Sequence, residues 1–458
     1  MKLPESARKN TPAKLAIISL AACLASVSNA YADAYYGRID VAGYGQSQQN
    51  AQSADVLIDA FIPILQMPST LWYTNFRGFS RSKSGFEGNL GTGIRWISAD
   101  NSTLAGAYGF FDRRRTETGN YFNQGVVGGE LWYNNLFIGG NVYVPMGQTE
   151  KQTDLYNFVD LIPLEDDVRS DIYNLMAAPG FEKSMGGFDI EVGYEILPGF
   201  TAFAGGYVFT ASEIDSVVGP RVRATYDWTN VEKGQKILGI FDKISFETEA
   251  RNDQLRGTSW YGGIRFSVGL GKLPKLQGAA RHMLDPVRRD IDLVTTGYHL
   301  DPELIRSLTI AEVRNWDELT DANRNEKINA ILVKEDIAFN RELPLSDGKT
   351  LTGDRLEVTT NSGGITFDVS LKAQSELPTL SSVGHNLIKI NSNAMIYDLN
   401  LSVSNPTQYA VISNINPNQS IEKLQIDNVY ANGPLSITLN NDNKGYLWVN
   451  RSTFNDGN

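Results

Sequence analysis

Between about Tyr35 and Val268, apolar and polar residues alternate in twelve segments of roughly ten residues. They fall near 35–46, 55–64, 70–80, 86–98, 103–112, 121–133, 136–144, 186–196, 199–210, 218–229, 241–251 and 258–268. A period of two puts successive side chains on opposite faces of a strand. In the eighth segment Ile190, Val192, Tyr194 and Ile196 share one parity, and Asp189, Glu191 and Glu195 share the other. In the tenth, Val222, Ala224, Tyr226 and Trp228 oppose Arg221, Arg223, Thr225 and Asp227. In the eleventh, Ile244, Phe246, Thr248 and Ala250 oppose Ser245, Glu247, Glu249 and Arg251. In the last, Trp260, Ile264, Phe266 and Val268 oppose Ser259, Tyr261, Arg265 and Ser267.

A soluble β-sandwich alternates as well. Here, however, the polar parity mixes Arg with Asp and Glu and contains almost no Lys, which suits an enclosed lumen where opposite charges pair. Aromatic residues recur on the apolar parity, as in the girdle of a membrane barrel. The pattern therefore predicts an all-β fold headed by a twelve-stranded antiparallel transmembrane β-barrel, residues 35–270. Its lipid-facing aromatics are expected to be Trp72, Phe76, Trp96, Trp228, Trp260 and Phe266. Its lumen-facing charges are expected to be Arg95, Glu130, Asp189, Glu191, Glu195, Arg221, Arg223, Asp227, Glu247, Glu249, Arg251 and Arg265.

The connections follow the same scheme. Even-numbered ones (66–69, 99–102, 134–135 and Pro198) are brief, apart from 230–240, whereas odd-numbered ones include 113–120 and the long 145–185. Short turns belong on the periplasmic side and long loops outside. An even count returns the chain to the periplasm with about 190 residues still to come. Those residues either stay there or go back through the pore, a passage of roughly 45 Å that takes about fourteen extended residues.

The segment Arg281-His282-Met283-Leu284-Asp285-Pro286-Val287-Arg288-Arg289-Asp290-Ile291 resembles the barrel-to-linker junction of inverse autotransporters, the intimin and invasin family. Phe110-Phe111-Asp112, Gly128-Gly129-Glu130-Leu131-Trp132 and Gly140-Asn141-Val142-Tyr143-Val144-Pro145 are similar to that family's strand motifs, in the same order. The likeness covers about residues 36–295. It implies a linker, residues 271–300, that threads the lumen and carries a C-terminal passenger to the cell surface. Asp285, Pro286, Val287, Arg288, Arg289 and Asp290 would be junction and pore-linker residues, with the two arginines paired to lumen carboxylates. A solvated surface turn would carry the same arginine pair. The chain departs from the family in showing no periplasmic sugar-binding module before the barrel. Its C-terminal part shows neither immunoglobulin-like repeats nor a cysteine-containing lectin tip.

The N-terminus has the form of an export signal over residues 1–34: Lys2, Arg8, Lys9 and Lys14 precede an apolar stretch from Leu15 to Val27. Cleavage could follow Ser28-Asn29-Ala30 or Ala32-Asp33-Ala34, and Leu20-Ala21-Ala22-Cys23 has the shape of a lipoprotein-processing site. Ordinary cleavage would leave no cysteine and no disulfide. The three histidines (His282, His299 and His385) lie far apart, so no metal centre or other cofactor is expected. A formal charge of −11 argues against nucleic acid as a partner.

Charged residues with apolar positions at three-to-four spacing mark 301–345 as a short helical spacer. From 346 to 458 the chain is rich in Asn, Ser and Ile. The runs Ile396-Tyr397-Asp398-Leu399-Asn400-Leu401, Leu424-Gln425-Ile426-Asp427-Asn428-Val429 and Leu447-Trp448-Val449-Asn450-Arg451-Ser452 recur there at intervals of 23–28. That spacing predicts a passenger built as a right-handed parallel β-helix, with one or two β-sandwich modules as the alternative. A solenoid needs a cap, so the stop at Asn458 is expected to mark either a short or truncated family member or a last rung covered by a partner.

The expected function is an outer-membrane inverse autotransporter that displays its passenger at the cell surface as an adhesin, not an enzyme. Its partners would be outer-membrane lipid, the barrel-assembly and export machinery, and a host or cell-surface receptor. Two alternatives stay open. One is a porin-like channel with a periplasmic domain. The other is a polysaccharide-active β-helix in which Asp398 and Asp427 stack as a carboxylate pair.

Overall fold

The structure, a computed structural model, describes residues 35–455 apart from 49–50, 82–84, 164–171, 256, 272–274, 290–292, 362–363, 372–375, 406, 414–422 and 438–445. The export signal, with Cys23, and Asp290 lie outside the described residues. The chain divides into two compact units, Met1–Lys151 with Glu182–Thr296, and Gln152–Phe181 with Gly297–Asn458.

The first unit is a closed, twelve-stranded antiparallel barrel. Its strands are β1 (Arg38–Gln48), β2 (Ala51–Met67), β3 (Thr70–Arg81), β4 (Phe86–Ile97), β5 (Thr103–Arg115) and β6 (Tyr121–Tyr133). They continue with β7 (Leu136–Met146), β8 (Gly186–Leu197), β9 (Phe200–Ala211), β10 (Ile214–Thr229), β11 (Lys243–Asp253) and β12 (Gly257–Gly269). Pairing of β1 with β12, from Arg38↔Gly269 to Gln48↔Ser259, closes the sheet and removes its edges. At three of the even-numbered turns, β2–β3, β6–β7 and β8–β9, the backbone bends within two residues. Gly199 in the β8–β9 turn has φ +82, and a Cβ there would stand 2.5 Å from the carbonyl oxygen of Asp227, so only glycine fits. The backbone N–H and C=O of Tyr35 bond the Gln66 side chain at 2.6 Å each, which ties the start of the barrel to the end that carries these short turns.

The two faces of the strands differ in kind. Outward positions are apolar, for example Leu90 (59% exposed), Val127 (68%) and Ile190 (54%). Inward positions carry charge, and they also carry rings, which the alternation did not reveal. Tyr73, Tyr108, Phe110, Trp132, Phe137 and Phe203 are buried together in the barrel interior.

The second unit begins with an antiparallel arrangement of Phe158–Pro163, Ile172–Ala178 and Glu303–Val313. Parallel strands follow in sequence: Ala330–Val333, Lys349–Thr352, Ala394–Val403, Lys423–Ala431 and Tyr446–Asn450. A separate four-stranded sheet stacks Leu343–Leu345, Ile388–Ile390, Val411–Ser413 and Leu435–Ser436, also in parallel. Asp398 (φ 51) bends its strand, so that residues before it pair with Lys349–Thr352 and residues after it with Thr379–Ser382. Asn428 (φ 55) and Arg451 (φ 46) repeat the bend on the following strands. Leu, Ile, Val and Ala dominate the interior of these stacks.

Residues 301–345 differ from the expected helical spacer. They hold one nine-residue helix, Trp316–Arg324, among the strands Glu303–Val313, Ala330–Val333, Ile337–Phe339 and Leu343–Leu345. The helix is set by its caps: Asn315 Oδ1 accepts from the Glu318 N–H at 3.0 Å while Glu318 reaches back to the Arg314 N–H at 2.7 Å. The spacing misled because Ala330–Val333 is buried on both faces, and a fully buried strand shows no period to read. Residues 152–181, expected as a loop of the barrel, contribute two strands to the second unit's sheet.

Candidate functional site

The barrel interior holds the chain's own residues 276–289, and Leu293 and Val294 beyond them. After β12 a 3-10 turn, Gly278–His282, begins at the end of the barrel that carries the short turns. There the Ala279 N–H donates to the carbonyl of Asn101, in the β4–β5 turn, at 2.7 Å. Gly278 has φ +57, and a Cβ would lie 2.5 Å from that same carbonyl, so the entry depends on glycine. At the opposite end the Leu293 N–H donates to Glu87 Oε2 at 3.2 Å, its carbonyl accepts from Arg114, and the Met185 N–H donates to the Val294 carbonyl at 2.9 Å. Glu87 and Arg114 sit at the far ends of β4 and β5. The segment therefore runs the length of the barrel.

Between these ends the wall supplies the hydrogen bonds that an extended segment cannot make to itself. Arg95, wholly buried on β4, donates from Nη1 to the carbonyls of Met283 and Asp285 at 2.8 Å and of His282 at 3.3 Å. Its Nε donates to Glu130 at 2.6 Å. Arg77, paired with Asp59 at 3.0 Å, donates to the Val287 carbonyl at 3.4 Å. Tyr108 and Asn141 both donate to the Arg288 carbonyl at 3.2 Å. These bonds read the backbone of the segment.

Side chains of the segment add a second set of contacts. Arg289 forms an ion pair with Asp112 at 2.6 Å, both side chains 1% exposed, and its guanidinium lies over the Phe110 ring at 4.5 Å. Arg288 takes no such ion pair among the described contacts. Its guanidinium lies 4.2 Å over Phe203, a cation–π seat where a carboxylate was expected. Asp285 pairs with Lys243 at 2.7 Å and with His282 Nδ1 at 2.7 Å, and the His282 ring stacks flat on Trp132, centroids 3.8 Å apart. Pro286 is half-buried and Val287 is buried among the inner aromatics. Arg281 pairs with Glu195.

The structure places the other charges expected on the polar parity as follows. Arg221 lies 3.4 Å from Asp189 and 3.6 Å from Glu191. Arg223 meets Glu249 at 3.0 Å, and Arg265 meets Glu247 at 3.5 Å. Asp227 holds Lys243 at 3.3 Å, and Arg251 donates to Ser259 at 3.1 Å. All point inward. Trp72, Phe76, Trp96, Trp228, Trp260 and Phe266 are all exposed on the outer face. The reading of the sequence missed Asp59, Arg77, Tyr108, Asp112, Asn141 and Lys243. Parity on β5 carries the missing signal, since Leu104, Tyr108, Phe110 and Asp112 share the inner face, but three of those four are apolar.

In the second unit Asp398 and Asp427 are not free carboxylates. Asp398 accepts from Arg355 Nε and Nη2 at 2.9 and 2.7 Å and from Asn428 at 2.6 Å. Burial pushes its carboxyl up, but the hydrogen bonds from Arg355 and Asn428 prevail and hold it below the ordinary carboxylate range. Arg451 clamps Asp427 through Nε at 2.9 Å and Nη2. Among the described residues no group of acids, histidines or cysteines is arranged to hold a metal ion.

Comparison with known proteins adds a family match over part of the chain. Residues 29–213 match the inverse autotransporter, beta-domain family. No curated protein matches the chain. Solved barrels are similar at low identity. The KdgM porin shares 9%, covering 50% of this chain and 98% of its own, with a TM-score of 0.29. Outer membrane phospholipase A from Escherichia coli shares 12%, covering 55% and 97%, with a TM-score of 0.31. The beta domain of the Bordetella autotransporter BrkA shares 12%, covering 50% and 98%, with a TM-score of 0.25. At these scores none of the three bears on function.

Proposed function

We propose that the outer-membrane barrel, whose residues fall largely within the 29–213 match to the inverse autotransporter, beta-domain family, is the conduit and anchor for the chain's own C-terminus. In this reading the second unit is a solenoid passenger that the barrel displays at the cell surface as an adhesin. The observation that carries the reading is the set of wall contacts made by residues 279–289 and by Leu293, which reach from the Asn101 turn to Glu87. Asp285, Pro286, Val287, Arg288 and Arg289 are its pore-linker residues. The outward aromatics are its lipid contacts, and the inward charges are the sockets that grip the linker.

Fixed sockets suit a linker that is installed once and then stays. Arg95 engages three carbonyls, those of His282, Met283 and Asp285, and carbonyl contacts accept any side chain that passes. Arg289 engages a single carboxylate, and that contact can form only in one register. The wall would therefore tolerate transit and lock at the end of it.

Protease added to whole cells tests the proposal. The expected result is loss of the C-terminal residues and survival of a barrel-sized fragment that is heat-modifiable. Protection of the C-terminal unit until the outer membrane is opened would overturn it. A diffusion porin with a periplasmic domain makes the opposite prediction in planar bilayers, a large steady conductance where a lumen holding its linker gives a near-silent pore.

A further inference from the structure

A pocket of about 240 Å³ opens on the outer face of the second unit's parallel sheet. Its floor is made by register. Gln425 and Trp448 fall in one row across neighbouring strands, and Tyr397, Asp427 and Asn450 fall in another. Its wall is the hairpin of Arg355–Thr359 and Thr366–Ser370, which brings in Glu357 and Asp368. Both guanidiniums of the pocket are engaged already, Arg355 by Asp398 and Arg451 by Asp427.

One group is left over. Tyr397 is 5% exposed, lines the pocket, and its hydroxyl has no hydrogen-bond partner among the described residues. A buried hydroxyl without a partner is costly, and its position here asks for an occupant that supplies one. The half-buried Trp448 ring offers an apolar face beside it, and the amides of Gln425 and Asn450 offer donors and acceptors together. Three carboxylates (Glu357, Asp368 and Asp427) against two committed guanidiniums disfavour an anion. An apolar platform ringed by amides, a hydroxyl and carboxylates matches a ring with one C–H face and many hydroxyls.

We propose that this pocket is a saccharide site that takes a neutral pyranose ring, seated on Trp448 with one of its hydroxyls bonded to Tyr397. The site goes beyond export, since it belongs to the purified protein wherever the unit resides. A failed sugar titration and a failed whole-cell protease experiment are therefore separate results.

The test uses the full chain in a detergent without a sugar headgroup, titrated calorimetrically with cellotriose, maltotriose and chitotriose, and with trigalacturonate as the anionic control. At least one neutral trimer is expected to bind, and more tightly than trigalacturonate. Trp448→Ala is expected to abolish that binding. Tyr397→Phe is expected to weaken it about fivefold, the worth of one hydrogen bond, while the unit's unfolding midpoint stays level or rises. The proposal falls if no neutral trimer binds, if trigalacturonate binds best, or if Trp448→Ala binds like the wild type. It falls also if Tyr397→Phe lowers the midpoint and leaves affinity unchanged, because the hydroxyl is then structural.

Discussion

The two interiors of this chain are built from different materials. Inside the barrel, aromatic rings lie among ion pairs such as Arg95–Glu130, Arg77–Asp59 and Arg289–Asp112, with both partners buried in each pair. Inside the second unit the core is aliphatic, with Ile396, Leu401, Leu424 and Ile426 packed together on neighbouring parallel strands. The second unit has nothing but its interior to bury, so the hydrophobic effect must act there. A barrel in a membrane turns its apolar positions outward, and its interior is free to be polar. What the barrel interior gains from charge is position. An ion pair contributes little to net stability against an apolar substitute, yet removing one partner leaves a buried charge exposed to nothing.

Three variants test this contrast, each read in the unit that carries it. The largest effect is expected from Arg95→Leu, which leaves Glu130 unpaired and three linker carbonyls without a donor. The loss is about 3–5 kcal/mol, read as a lower urea midpoint for the barrel in vesicles and faster proteolysis after residue 276. An unchanged midpoint would mean that the lumen contacts are ornamental. Leu424→Ala in the core of the second unit comes next, at about 2–5 kcal/mol. Its effect should appear in the unfolding of the C-terminal unit, with the barrel's heat-modifiability unaltered; a matching loss in the barrel would break the separation of the two interiors. The smallest effect concerns Asp398. Its folded carboxyl titrates below the ordinary value, so its contribution to stability is complete above about pH 4 and is lost as pH falls through the folded value. Asp398→Asn should flatten the acid limb of that unit's stability curve, and an equally steep limb in the variant would assign it to other groups.

Much of the barrel was legible along the chain because a period of two is enforced wherever one strand face is apolar and the other is not. The eighth and tenth segments, with Asp189 and Glu191 against Ile190 and Val192, could be assigned to faces from sequence. β5 could not, since its inner face holds Leu104, Tyr108 and Phe110 beside Asp112. Arg289 stood out in the junction motif, yet its partner Asp112 lies on a strand 177 residues away. Arg288 carries the same charge and meets a ring. Composition does not distinguish those two fates.

The alternation of the twelve segments and the parity of their charges were determined by the sequence alone, because each follows from the local geometry of a strand. Which carboxylate meets which arginine, that Ala330–Val333 is a strand at the heart of the second unit, and that Tyr397 is left with a free hydroxyl over a pocket were decided only by the tertiary structure. Those facts depend on residues brought together across tens to hundreds of positions. Short-range pattern carries no information about distance in space, and packing alone supplies it.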